Sequence, residues 1–327
     1  MTRPVARALA LIGAWLALGA VNVAAQERYA LIVSGSSGGP PYAERYAAWA
    51  DDLSRILRER MKLAPDHVAV LEEEGEPAKQ ATAANVRRMV AGIRVRMAAR
   101  DLLLVVLIGH GTFDGTDAKF NLVGPDLESA EWASLLAGLP GRLVIVNAAS
   151  AGFPFLQKLA GPRRVVISAT DNAAQRYDTV FPEFFIHAFE DPSADIDKNG
   201  RISIWEAFAA ASASVRRYYQ RQGQLATERA LLDDSGDGVG HEPGGSPEDG
   251  AIASAIYLDL AEPGAPPTDD LLVLLLQRRA ALESEFEELR IRKQFLPAAE
   301  YQKEFERIMV ALAKVQREIR DRRGSLE

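Results

Sequence analysis

Between residues 195 and 206 the chain reads Asp195-Ile-Asp197-Lys-Asn199-Gly200-Arg201-Ile202-Ser203-Ile-Trp-Glu206, with oxygen-bearing side chains at alternate positions and a carboxylate at the twelfth. Asp195, Asp197 and Asn199 supply side-chain oxygens, Gly200 takes a sharp turn, and Arg201 offers its carbonyl. Ser203 ligates directly or through water, and Glu206 closes the set with two oxygens. Six to eight hard oxygens in a flexible shell suit Ca2+. A second acidic run, Asp233-Asp234-Ser235-Gly236-Asp237-Gly238, begins 38 residues later, but Gly244 stands at its twelfth position. It reads either as a degenerate calcium loop through Asp233, Ser235 and Asp237 or as an acidic turn. A different chemistry is suggested at His110, which lies between Gly109 and Gly111 directly after the apolar run Leu102–Ile108. A histidine there can act as a general base, and the glycines let backbone N–H groups approach an oxyanion. It can equally be a hydrogen-bonded structural residue.

Composition removes several classes of function. The chain of 327 residues contains no cysteine, so disulfides, thiolate metal sites and a cysteine nucleophile are excluded. Lys and Arg number 38 against 45 Asp and Glu, and the net charge of −7 argues against a nucleic-acid partner. His67, His187 and His241 have no partner at ligand spacing, which argues against a transition-metal site.

Short β-branched apolar runs at Tyr29–Val33, Leu102–Ile108, Leu143–Val146 and Val165–Ile167 predict parallel strands buried on both faces, with a weaker strand at His67–Leu71. Helical periodicity at Tyr46–Met61, Ala83–Met97 and Ser129–Leu139 separates them. Strand alternating with helix predicts an α/β sheet whose ligands sit beyond the carboxyl ends of the strands. Those ends carry Ser34-Gly-Ser-Ser-Gly38, Gly109-His-Gly111, Asn147-Ala-Ala-Ser150 and Ala169-Thr-Asp171.

Four of these blocks together resemble the legumain family of clan CD cysteine peptidases, with caspases as more distant relatives. They are Ala30-Leu-Ile-Val-Ser-Gly-Ser-Ser-Gly38, Leu107-Ile-Gly-His-Gly111, Leu143-Val-Ile-Val-Asn-Ala-Ala-Ser-Ala-Gly152 and Val166-Ile-Ser-Ala-Thr-Asp-Asn172. The likeness covers roughly residues 28–220. It implies a caspase-like α/β/α sandwich, with His110 at the base position and the Gly111 amide near an oxyanion hole. The family pattern is an acidic residue, Ala, then Cys; this chain reads Asn147-Ala148-Ala149. Ala149 at the nucleophile position cannot form an acyl intermediate. The arginine that the resemblance implies after the first glycine turn is matched by Arg45, which otherwise reads as a solvated charge at a helix start. Ser150, one residue further on, offers an alternative serine–histidine pair with His110 if the turn rotates it inward.

Residues 1–25 read as a secretory signal. Arg3 and Arg7 begin it, an apolar stretch follows, and Val23-Ala-Ala25 ends it; uncleaved, it would anchor the chain in a membrane. Residues 26–180 are expected to form the α/β core. Residues 181–260 would be a helical extension carrying the Asp195–Glu206 loop, which matches the EF-hand pattern, with Ile202 forming a β-bridge to a partner loop. Residues 261–267 are a Pro-rich linker and 268–327 an antiparallel helical hairpin. Tyr301, Phe305, Ile308, Leu312, Val315 and Ile319 form a coiled-coil stripe facing Leu275, Leu282, Phe286 and Leu289, which either closes on itself, self-associates or packs on the core. The expectation is an exported, periplasmic or secreted Ca2+-binding protein that lacks peptidase chemistry and binds a peptide or protein. A serine hydrolase and a calcium sensor are the alternatives.

Overall fold

Strand β3 (Leu102–Ile108) is apolar and buried along its whole length, and the other strands assemble around it. In the computed structural model, which describes residues 26–244, 249–260 and 296–324 with scattered positions through 271–293, β3 lies between β1 (Arg28–Ser34) and β7 (Arg142–Asn147). Outside β1 lies β2 (Val68–Leu71), and outside β7 lie β8 (Arg164–Ser168) and β9 (Leu231–Asp233), in the order β2-β1-β3-β7-β8-β9. All pairs are parallel except β8 with β9, which is antiparallel. Parallel neighbours need long crossovers, and helices supply them on both faces.

The period of two along each strand divides the core. Ala30, Ile32, Leu104, Val106, Val144 and Val146 face one side, with α1 (Pro40–Arg55), α5 (Phe181–Ala188) and α6 (Ile204–Arg221). Leu31, Val33, Leu103, Val105, Leu107 and Ile145 face the other, with α2 (Ala83–Arg96), α3 (Ser129–Leu136) and α4 (Phe153–Leu159). The result is a mixed α/β fold with a central, mostly parallel sheet and flanking helices. Beyond His110 the chain makes a small antiparallel sheet of β4 (Gly111–Phe113), β5 (Ala118–Phe120) and β6 (Leu127–Glu128). The sequence pattern missed this sheet because its strands are only two or three residues long.

One boundary differs from expectation. Residues 181–260 are not a purely helical extension: they supply β9, and α5 and α6 share the core with β1 and β3. A register of strand pairs crosses the expected division at 180, so the segment completes the sandwich. The final helix, α7 (Ala298–Gly324), splits its apolar stripe. Tyr301, Phe305 and Ile308 are buried in the main core together with Phe286 and Leu289, whereas Val315 and Ile319 pack on Leu275 and Leu282. Half of the stripe on α7 is thus spent on the sandwich. The segment expected as a signal lies outside the described residues, as do the linker residues 261–267. Among the described residues no helix is long and apolar enough to cross a membrane.

Candidate functional site

His110 lies at the carboxyl end of β3, where the chain leaves the sheet through Gly109 at φ +150. Gly111 is required by proximity: a Cβ there would lie 2.2 Å from the Ser150 carbonyl oxygen. The turn after β7 and the turn after β3 are therefore pressed together. Ser150, 2% exposed, completes this contact. Its Oγ accepts from the Gly111 N–H at 3.0 Å and donates to the Gly111 carbonyl at 3.1 Å. The hydroxyl thus bonds to Gly111 backbone in both directions and makes no hydrogen bond to His110 among those described.

That arrangement corrects two expectations together. Ser150 is turned onto the backbone and is not paired with the base, and the Gly111 amide, expected near an oxyanion hole, already has an acceptor. Ala149 is fully buried in the core beneath the turn, so its methyl group presents nothing to the cleft. Ala151 holds φ +52, a strained conformation for a residue with a Cβ, and its N–H is tied to the Gln175 carbonyl at 2.9 Å. Thr179 donates its hydroxyl to the Ala148 carbonyl from the same overlying segment.

The ring of His110 faces α1. Tyr46 Oη lies 3.2 Å from Nε2 and 3.5 Å from Nδ1, and the Tyr42 and Tyr46 rings meet the imidazole edge-on at 5.1 and 5.5 Å. Tyr46 donates its proton to Asp178, which leaves its oxygen able to accept from the imidazole. Arg45 donates to the second oxygen of Asp178, and its guanidinium lies among the rings of Trp49, Tyr42 and Tyr46 at 5.1, 5.3 and 6.0 Å. Burial, together with the Asp178 carboxylate, pushes the Tyr46 phenol above its ordinary range. Arg45 is therefore no freely solvated charge. The sequence placed it near the cleft; its partner Asp178 was missed because no spacing rule links positions 133 residues apart.

Beside this cluster, between the carboxyl ends of β1 and β2 and the start of α1, lies a cavity of about 700 Å³. Glu44, Asp51, Glu72, Glu73 and Glu74 line it, with Tyr46 at one side. Burial and Asp51 hold the Glu72 carboxyl above the usual range. Among the described residues no cationic side chain lines this cavity.

The second cluster is the loop before α6. Asp195, Asp197 and Glu206 bring carboxylate oxygens within 4.8 Å of one another, and among the described residues no other such group occurs. Asp195 accepts from the Asn199 and Gly200 amides at 3.0 and 2.8 Å, and Asp197 accepts from the Asn199 amide at 3.1 Å. These bonds curl the loop around its own carboxylates, helped by Gly200 at φ +79. Glu206 takes the Ile196 and Asp197 amides on Oε1 and Ser203 on Oε2, while Ser203 caps α6. The donor set fits a hard dication, which needs anionic oxygens gathered at short range. Asp197 is raised above the ordinary carboxylate range by burial and by the neighbouring Glu206 and Asp195 charges. Asn199 Oδ1 instead accepts from the Arg201 amide at 2.8 Å.

The bridge expected at Ile202 occurs one residue later, between Ser203 and Tyr257, with Ile204 donating to the Ile256 carbonyl at 2.9 Å. The second acidic run is not the partner loop. Asp233 belongs to β9, and its carboxylate accepts from Gly236 and Gly238 amides at 2.7 and 2.9 Å and from the Ser235 hydroxyl at 3.2 Å. Asp233, Ser235 and Asp237 thus share a turn that is closed on the Asp233 carboxylate.

No family model matches the chain, and no curated protein matches it. Among solved structures it is similar to a Geobacter sulfurreducens protein, 16% identical over 66% of this chain and 98% of that one, with a TM-score of 0.43. It is also similar to caspase-1 from Spodoptera frugiperda, 12% identical over 64% of this chain and 86% of that one (TM-score 0.40), and to the Drosophila initiator caspase Dronc, 12% identical over 63% and 78% (TM-score 0.42).

Proposed function

We propose that this chain is an exported calcium-binding protein on a caspase-like scaffold that holds a peptide or protein partner and has no cysteine peptidase activity. The observation that carries the reading is the convergence of Asp195, Asp197 and Glu206 within 4.8 Å in a loop that also holds Asn199, the Arg201 carbonyl and Ser203. Three carboxylates so close repel one another, and a dication among them turns that repulsion into attraction. Calcium would tie the start of α6 to the 256–257 bridge, a structural role suited to a compartment where the ion is abundant.

Two features support a binding cleft without peptidase chemistry. The chain has no thiol, and the Ser150 hydroxyl, the alternative nucleophile, is engaged by Gly111 on both sides. The carboxylates of the neighbouring cavity favour a partner segment that carries Lys or Arg.

The test is a calcium titration of EDTA-stripped protein by calorimetry, paired with thermal unfolding. EDTA is expected to lower the melting temperature of the wild type and to leave that of Asp195→Ala plus Glu206→Ala unchanged. At calcium one hundredfold above its dissociation constant, linkage gives about 2.7 kcal/mol of stabilisation. Equal responses of the two proteins would remove the calcium site. Cleavage of a peptide library by the pure protein would remove the non-peptidase reading.

A further inference from the structure

Helix α7 is hydrogen-bonded to the acidic loop through Gln316. Gln316 donates from Nε2 to Asp197 Oδ2 at 3.3 Å, across 119 residues of sequence. The same oxygen accepts from Asn199 Nδ2 at 2.9 Å, and Asn199 Nδ2 also donates to Tyr257 Oη at 2.9 Å. Next to these contacts a cavity of about 310 Å³ separates loop and helix, lined by Asp197, Tyr257, Met309, Leu312 and Gln316. Glu206 has no such outward contact, since its oxygens take donors of the loop itself. Within the acidic group, Asp197 is the member shared between the loop and the C-terminal helix.

The anchoring of α7 is uneven. Its first half is buried in the main core through Tyr301, Phe305 and Ile308. Its second half packs through Val315 and Ile319 on Leu275 and Leu282 of the hairpin itself. Beyond Met309 and Leu312, which still pack against the main core, the polar bond from Gln316 to Asp197 joins this second half to the sandwich.

We propose that residues 309–320 of α7 form a clasp whose seating is coupled to cation occupancy of the Asp195–Glu206 loop through the Asp197–Gln316 contact. The proposal rests on the calcium reading above. With no cation, the Asp195 and Glu206 charges push on Asp197, and only the two hydrogen bonds from Asn199 oppose movement of its carboxylate away from the helix. A dication holds all three carboxylates in place, so Gln316 meets a charged acceptor at a fixed position, a stronger bond than one to a wandering group. Coupling is reciprocal: a cation that seats the clasp binds more tightly because the clasp is there. The contribution of a single hydrogen bond sets the size of the effect at about threefold to tenfold in affinity.

The experiment uses full-length protein with Ca2+ as the probe. Calorimetry on EDTA-stripped protein gives the affinity of wild type, Gln316→Ala and Tyr257→Phe. Hydrogen exchange then follows residues 309–320 with and without calcium. Gln316→Ala is expected to bind calcium about threefold to tenfold more weakly, with an unchanged circular dichroism spectrum. Calcium is expected to slow exchange of 309–320 severalfold in wild type and not in Gln316→Ala. Tyr257→Phe, which keeps Gln316, is expected to retain the exchange response. Equal affinities together with exchange that ignores calcium in wild type would overturn the clasp while leaving the calcium site standing. Absence of any calcium binding to wild type would overturn the loop reading and the clasp with it.

Discussion

Glu228 makes the pH dependence of this fold calculable. Its side chain is buried, 4% exposed, and accepts from the Val180 and Phe181 amides at 2.8 and 3.1 Å and from Tyr219 Oη at 3.0 Å. It therefore ties the start of α5 and the end of α6 to the segment that enters β9. Desolvation outweighs these three bonds and pushes the carboxyl from its ordinary 4.5 to about 7. A folded-state value above the unfolded one means that the folded protein binds the extra proton between those two values. The contribution to stability is complete below about pH 4.5, falls as pH rises towards 7, and is flat above. A shift of that size corresponds to about 3 kcal/mol. In Glu228→Gln the amide oxygen still accepts from the backbone, and nothing titrates. The assay is denaturant unfolding of both proteins from pH 5 to pH 8. The stability of Glu228→Gln relative to wild type is expected to rise by about 2.5 kcal/mol across that range, the remainder being lost below pH 5. Because other groups titrate identically in the two proteins, the difference isolates this carboxyl. A difference that stays constant over the range would refute the assignment.

Three further outcomes follow from the contacts around His110. Ser150→Ala leaves the Gly111 N–H and carbonyl without their buried partner, so unfolding experiments should show a loss of about 1–3 kcal/mol; a neutral result would mean that the two turns are not held by this hydroxyl. Gly111→Ala drives a Cβ towards the Ser150 carbonyl, only 2.2 Å away, and should cost about 1–3 kcal/mol or prevent folding, as read from the melting temperature. Tyr46→Phe removes the hydroxyl between His110 and Asp178. The histidine ring resonances should shift in NMR spectra, and unchanged resonances would contradict the 3.2 Å contact.

Much of the fold was legible in the chain. The run Leu102–Ile108 was bounded correctly as β3, and Leu143–Val146 and Val165–Ile167 each fell within a strand one residue longer at either end. Strands buried on both faces read as unbroken apolar runs, a signal that survives without tertiary information. The helix expected at Tyr46–Met61 instead begins at Pro40 and passes into a π-helical turn over Ile56–Arg60. Prolines at the first helical positions lack a periodic apolar signal even though they suit a helix start. The strand β9, three residues long, carried no pattern of its own; it exists because β8 offers an open edge to pair with.

The site divides in the same way. Local chemistry is a property of adjacent residues: the Asp195–Glu206 ligand spacing, the glycines flanking His110, and the missing thiol all follow from order along the chain. Orientation is not local. That Ser150 turns onto Gly111, that Asp178 takes Arg45 and Tyr46, that Asp233 serves a turn, and that Gln316 meets Asp197 are outcomes of packing between elements far apart in sequence. A side chain turns towards whichever partner best satisfies it once the layers close. Composition decides which groups are available, and only the folded neighbourhood decides which of them remain free to act.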